Sequence, residues 1–201
     1  PHTISVPRLK HADDIDPDVF DNSLSDDLFA KIIACIRIAV PYTGMIISTR
    51  ESEAVRGKVL DYGISQISGA SRTSVGGYTE AERPHDSEQF DVSDQRTLDE
   101  VVRWLMEMDY IPSFCTACYR AGRTGDRFMS LCKSGQIQNC CHPNALITLQ
   151  EFLEDYASPE TRALGKEVLQ RQLLAIPNEK VRTKTEQYLQ EILHGARDFR
   201  F

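Results

Sequence analysis

The chain has 201 residues, of which 41% are hydrophobic and 26% charged, and a formal net charge of −7. That length suits one domain or two small ones, and the acidic balance argues against general nucleic-acid binding, which wants a basic face. No apolar run approaches the roughly 20 residues that a membrane-crossing helix needs, so neither nucleic acid nor membrane is expected as a partner, and the expected location is the cytoplasm, or an organelle matrix in a eukaryote.

In chain order, Pro1-His2-Thr3-Ile4-Ser5-Val6-Pro7-Arg8 reads as a β-strand already under way, with no initiating Met and no cap. Ser23-Leu24-Ser25-Asp26 is a capping signal ahead of a helical stripe of Leu28, Ile32, Ile33, Ile36 and Val40, ended at Pro41. Cys35 lies in this apolar stretch and reads as a buried core thiol. Gly44-Met45-Ile46-Ile47-Ser48 has the continuous apolar character of a strand buried on both faces. Residues 52–60 suit a helix, and Ile64-Ser65-Gln66-Ile67-Ser68 a further strand. After a glycine-rich turn at Gly76-Gly77 and a polar loop, Thr97-Leu98-Asp99-Glu100 reads as a capping box that opens a helix with Leu98, Val101, Val102 and Leu105 on one face. Alternation of short buried strands with helices implies a parallel sheet. Three β/α units do not complete a barrel, so residues 1–110 are expected to be the C-terminal part of a larger α/β domain, and the chain an N-terminally truncated one.

Beyond Pro112 the character changes. A cysteine loop comes first, then three expected helices: one capped by Asn144 with Leu146, Leu149 and Leu153, one opened by Pro159 with Leu164, Val168 and Leu173, and one capped by Asn178 with Val181, Tyr188, Leu189 and Ile192. Residues 111–201 therefore read as a small helical module around the cysteine loop. Met106, Met108 and Met129 read as core or gap-filling residues.

Five of the six cysteines fall between residues 115 and 141: Cys115, Cys118, Cys132, Cys140 and Cys141. Cys115-Thr116-Ala117-Cys118 and Cys141 give the spacing C-x2-C-x22-C. Two thiolates three positions apart can grip one metal centre, and a distant third can close on it when the intervening chain folds back. Four ligands would satisfy a structural zinc, with Cys140, Cys132 or His142 as the fourth; three would leave an iron–sulfur cluster with an open coordination position. Disulfides or redox thiols are the third reading of the same spacing. Arg120, Arg123 and Arg127 can offset negative charge at such a centre, or form a solvated face.

The runs His2-Thr3-Ile4-Ser5-Val6-Pro7-Arg8, Ser65-Gln66-Ile67-Ser68-Gly69-Ala70-Ser71-Arg72-Thr73-Ser74-Val75-Gly76-Gly77-Tyr78 and Cys115-Thr116-Ala117-Cys118-Tyr119-Arg120 resemble the HydG family. These are radical S-adenosylmethionine (SAM) tyrosine lyases that help build the active-site cluster of FeFe-hydrogenase. The first two runs are shared in looser form with the thiamine-pathway tyrosine lyase and with biotin synthase; the third discriminates. The resemblance implies a (βα)8 barrel followed by a helical cluster-binding domain. It implies cleavage of L-tyrosine to p-cresol and dehydroglycine, with CO and cyanide collected for an iron-CO-CN precursor of the hydrogenase H-cluster. The implied cofactors are a SAM-splitting 4Fe-4S cluster in the parent protein and an auxiliary 4Fe-4S cluster at Cys115, Cys118 and Cys141, with an extra iron bridged by free cysteine.

The same resemblance places His2 near the extra iron, where the bland reading is a core histidine. Arg72 and Ser71 become the candidate catalytic residues, and Ser68, Arg72, Thr73 and Ser74 candidate contacts to substrate or SAM. Guanidinium matches carboxylate geometry, although an exposed Arg also makes surface salt bridges and serine-rich turns commonly satisfy their own backbone. His142 is expected beside the cluster rather than on it. One departure stands out: no C-x3-C-x2-C occurs in these residues, so the chain alone is expected not to cleave SAM. Its partners are expected to be L-tyrosine, SAM and cysteine, other hydrogenase maturation proteins, and the N-terminal half of the barrel. The alternative is a non-catalytic zinc-stabilised binding or scaffold module.

Overall fold

Three short β-prone runs pair side by side in the N-terminal region, and helices follow the first two of them. In this computed structural model, which describes residues 3–12, 15–20, 23–79 and 89–201, the chain separates into two units, Pro1–Thr97 and Leu98–Phe201. The first holds β1 (Thr3–Ser5), α1 (Asp26–Ala39), β2 (Gly44–Ile47), α2 (Glu53–Leu60) and β3 (Gln66–Ile67). Its strands form a parallel sheet in the order β1-β2-β3, with Ile4 opposite Met45 and Ile47 opposite Ile67. Parallel neighbours need a crossover, and α1 and α2 provide it.

Both crossover helices begin where the capping chemistry expects. The Ser25 hydroxyl accepts from Leu28 N at 3.3 Å and the Ser52 hydroxyl from Val55 N at 3.4 Å. The buried stripe of α1 is rotated from the expected one: Phe29, Ala30 and Ile33 are inside, whereas Leu28 is exposed. Cys35 is exposed as well, which overturns its reading as a core thiol. The cause is angular, because a residue two positions past Ile33 points about 200° away around the helix. In β2 only Met45 and Ile47 are fully buried, and they alternate with half-buried neighbours, so the strand is not equally buried on both faces.

Two ion pairs organise the unit's interior. Arg8 donates to the buried Glu51 carboxylate through Nε, at 3.1 and 3.0 Å, and through Nη2, while its guanidinium lies 4.6 Å from the Phe29 ring centroid. Arg56, fully buried on α2, donates to Asp94 and to the carbonyl oxygen of Ser68 just after β3.

The second unit is helical: α3 (Leu98–Glu107), α4 (Ala117–Arg120), α5 (Gly125–Ser134), α6 (Gln138–Asp155), α7 (Pro159–Leu174) and α8 (Glu179–Leu193). The division between compact units falls before α3, whose Val102 and Met106 join Leu146, Leu149, Phe152 and Leu153 of α6 and Val168 and Leu169 of α7 in one apolar core. Ser158 caps α7, and the Asp99 carboxylate accepts from Ser158 N at 3.0 Å, its hydroxyl at 2.7 Å and the Thr161 hydroxyl at 2.9 Å. The Asn178 side chain caps α8 by accepting from Lys180 N and Val181 N.

Two expectations about this unit need correcting. The cysteine segment is not a plain loop, since α4 and α5 lie within it. Asn144 is not a helix cap: α6 begins at Gln138, so Asn144 sits buried inside it. Pro143 lies within the same helix. Its missing N–H is tolerated because the chain entering α6 is already wound by shorter i→i+3 bonds, Gln138 N to Gly135 O, Asn139 N to Gln136 O and Cys140 N to Ile137 O.

Close approach of α6 and α7 depends on Gly165. A Cβ there would stand 2.4 and 2.6 Å from the two Cδ atoms of Leu153, which is fully buried. For Gly165→Ala the overpacking cost of about 1–3 kcal/mol outweighs the helix-propensity gain of at most about 1 kcal/mol. A lowered urea midpoint is the expected result; an unchanged or raised one would mean that Leu153 repacks without cost.

Candidate metal centre

Cys115 and Cys118 are set by one tight turn. Ala117 N lies 3.4 Å from Cys115 Sγ, and Arg123 N donates to Cys118 O at 2.8 Å, so the chain closes back on itself after α4. Gly122 permits that return with φ of 62°, a conformation L side chains rarely adopt. α5 carries Cys132 and ends at Gly135, φ 75°, after which the chain enters α6. Cys140 and Cys141 lie in the first turn of α6, and both of their amides donate to Ile137 O, at 3.0 and 2.8 Å. The third thiol of the motif is thus fixed by a helix rather than by a loop.

Electrostatics couples the thiols. The Cys141 thiol is pushed up to about 11, first by loss of hydration and then by Cys118, Cys115, Cys140 and Cys132, although the residue keeps an exposed rim. Cys132 is raised by burial and by Cys118. The three thiols of C-x2-C-x22-C are therefore brought within electrostatic reach of one another, with Cys132 and Cys140 beside them. Crowded thiols resist ionising one by one; a bound cation would reverse this and release protons as it binds. Among the described residues, no three His, Cys, Asp or Glu side chains converge tightly enough to enclose a single metal ion. A cluster holds its cysteines on separate iron atoms, so a looser set of thiols suits it.

Two of the surrounding cations, Arg123 and Arg120, are engaged, whereas Arg127 is exposed. Arg123 donates from Nη1 to Cys140 Sγ at 3.2 Å and from Nη2 to Phe201 O at 2.6 Å, and its Nε is buried without a hydrogen-bond partner among the described residues. Arg120 pairs with Asp198, Nη2 to Oδ2 at 2.8 Å. Asn144 Oδ1 accepts from Phe201 N at 2.9 Å. His142 Nε2 lies 3.2 Å from Gln172 Oε1. Sequence patterning missed this tail of residues 198–201 altogether, because its hold is polar and aperiodic. A cleft of about 110 Å³ runs past Cys115, Arg120, Asn144, Thr148 and Arg200. A larger groove of about 600 Å³ lies over Phe114, Phe152 and Tyr156 and contains no thiol. Three thiols, a buried unpartnered N–H and a cationic rim make a donor set that fits an anionic, thiolate-held cluster.

The other candidates belong to the first unit. Arg72 is exposed, and its amide donates to the Tyr78 hydroxyl at 3.1 Å. Ser68 N donates to Ile47 O at 3.1 Å, which ties the loop to β2. The Thr73 hydroxyl donates to Phe90 O at 3.0 Å, and Ser74 O accepts from Gly77 N at 3.1 Å, as in a self-satisfied turn. Ser71 is half-buried beside Ala70, a non-glycine residue at φ 53°. His2 lies outside the described residues. No helix among the described residues is long and apolar enough to cross a membrane.

Residues 5–111 match the Biotin and Thiamin Synthesis associated domain family. Over its whole length the chain is similar, at 52% identity and a TM-score of 0.95, to 43% of a crystal structure of HydG, a maturase of the FeFe-hydrogenase. Over 94% of its length it is similar, at 39% identity and a TM-score of 0.70, to 39% of the FeFe-hydrogenase maturase HydG from Carboxydothermus hydrogenoformans. It thus spans less than half of either protein. No curated protein matched the sequence.

Proposed function

The chain belongs to the Biotin and Thiamin Synthesis associated domain family, in its HydG line, and on that premise we propose that it is the auxiliary-cluster portion of a radical SAM tyrosine lyase serving FeFe-hydrogenase maturation. In this reading residues 1–110 are the last three β/α units of a (βα)8 barrel and residues 111–201 the cluster-binding domain of a cytoplasmic enzyme. The parent enzyme cleaves L-tyrosine to p-cresol and dehydroglycine, and the latter yields CO and cyanide. The C-x3-C-x2-C that would hold a SAM-splitting cluster is absent from these residues, so SAM cleavage is assigned to the parent protein rather than to this chain alone. Other maturation proteins would receive the product.

The observation that carries the proposal is the C-x2-C-x22-C spacing of Cys115, Cys118 and Cys141 in a chain of this family, supported by the electrostatic influence of Cys118 and Cys115 on Cys141. Those three thiolates would hold a 4Fe-4S cluster, and Cys140, whose sulfur already accepts from Arg123, would stand aside. When bound, the cluster supplies an iron with an open coordination position, where an additional cysteine-bridged iron and its diatomic ligands can collect. The chain's own residues have simpler tasks. Arg120 and Arg123 offset anionic charge at the thiols, and exposed Arg72 offers a planar fork to the carboxylate of tyrosine or SAM. Ser68, Ser71, Thr73 and Ser74 line that loop as hydrogen-bonding groups, and His2 is assigned to the additional iron.

Metal and acid-labile sulfide analysis after anaerobic purification tests this, with EPR after reduction. About four iron and four sulfide per chain are expected. One tightly held zinc without sulfide would sink the proposal and leave a zinc-stabilised scaffold module in its place.

A further inference from the structure

Tail residues 198–201 are pinned to both halves of the cysteine motif. On the Cys118 side, Arg120 pairs with Asp198 and Arg123 Nη2 donates to Phe201 O at 2.6 Å. On the Cys141 side, Asn144 accepts from Phe201 N at 2.9 Å, and Glu151 Oε1 accepts from Asp198 N at 2.7 Å. Stacking secures the same segment, with the Tyr188 ring 4.3 Å from Phe199 and 5.7 Å, edge-on, from Phe201. The tail therefore bridges two stretches of chain that α5 separates in sequence.

Arg123 stands where these connections meet. One terminal nitrogen is committed to Cys140 Sγ and the other to the tail, while Nε is buried and unpartnered among the described residues. A buried N–H without an acceptor is costly, and native structures keep few of them unless something else satisfies the group. The fork is planar and rigid, so fixing both terminal nitrogens also fixes the direction of Nε–H.

We propose that Arg123 is a positioning residue for the group held at Cys115, Cys118 and Cys141: its terminal nitrogens clip the tail to Cys140, the neighbour of Cys141 in sequence, and Nε–H is kept for a sulfur or other anionic acceptor of that group. This rests on the cluster reading above. Two consequences follow from the chemistry. A hydrogen bond to a cluster sulfur favours the more negative, reduced state and raises the potential, so its loss lowers the potential. Loss of the clip loosens the hold on iron, as removal of groups that support metal ligands does, by roughly 10-fold or more.

The test uses the full chain, loaded anaerobically, as wild type, Arg123→Ala, Arg123→Lys and Asn144→Ala. Readouts are the midpoint potential, the EPR line shape, the rate of iron loss to a chelator, and thiol-reagent labelling of the metal-free proteins. Arg123→Ala should lower the potential, alter the EPR signal, release iron roughly 10-fold faster and label Cys140 faster. Arg123→Lys keeps the charge without the fork and should rescue neither potential nor retention in full. Asn144→Ala should speed iron loss while the potential stays near wild type. Should Arg123→Ala fail to fold, Arg123→Lys decides alone. Wild-type potential, EPR and retention in a folded Arg123 variant would overturn the inference and leave the cluster reading intact. A wild-type chain that binds no iron and sulfide would overturn both.

Discussion

Cys141→Ser should abolish the iron and sulfide content of the chain, from about four of each to near zero, while Cys140→Ser retains both. The two residues are adjacent in the first turn of α6, so the contrast isolates ligation from local fold. Cys141 is the thiol whose ionisation is opposed, after burial, by Cys118 and Cys115. Cys140 already serves as acceptor for Arg123 Nη1 at 3.2 Å. A cluster with three thiolates loses a third of its protein anchorage when one is removed, and a serine hydroxyl, far less acidic than a thiol, seldom replaces it. Neither substitution should unfold the unit, because the apolar core draws on Leu146, Leu149, Phe152 and Leu153 farther along the same helix. Far-UV circular dichroism of the metal-free variants should therefore overlay the wild type. If instead Cys140→Ser is the variant that loses metal, a four-ligand site is indicated and the three-thiolate assignment falls.

Local chemistry was the legible part of this chain. Caps at Ser25 and Asn178 follow from a short polar side chain ahead of an apolar stripe, and both accept the expected amide hydrogen bonds. The strand at 44–47 was legible from its composition alone, and the family from three short motifs. Misreadings came where tertiary structure overrides the local signal. Asn144 resembled a helix cap, yet α6 starts at Gln138 and runs through it, since the preceding turn is already wound. Cys35 looked buried because its neighbours are apolar, but one face of α1 takes Phe29, Ala30 and Ile33 inside and leaves the other out. Tail contacts at Arg123, Asn144 and Phe201 span residues far apart in sequence, and no periodicity announces a hydrogen bond of that kind.

Asp94→Ala should be the most destabilising single substitution in the first unit, by about 3–5 kcal/mol at neutral pH. Asp94 is almost fully buried and accepts from Arg56 Nη1, from Arg96 Nε at 2.9 Å and Nη2 at 2.6 Å, and from Arg96 N at 3.2 Å. Arg56 has no exposed surface, so its charge depends on this carboxylate, and removing one partner of a buried pair strands the other. Burial alone would push the Asp94 carboxyl up, and burial does hold Arg56 below its ordinary range; for Asp94 the Arg96 hydrogen bonds and the Arg56 charge outweigh burial and keep it lowered. A folded-state value below the unfolded one, near 3.9, means that the stabilisation is present above that pH and is lost as pH falls through the folded value. Urea midpoints of wild type and variant should thus lie far apart at pH 7 and converge in acid. A gap that stays constant down to strongly acid pH would show that packing, not charge, sets the cost. The consequence reaches the candidate substrate loop as well: Arg56 also holds the Ser68 carbonyl, from which residues 68–74 depart with Arg72 among them. Loss of Asp94 frees Arg56 to shift, so amide hydrogen exchange across 68–74 should quicken even in the fraction that remains folded. Protection there equal to wild type would mean that the loop is held by Thr73 on Phe90 and by Ser68 on Ile47 without help from the buried pair.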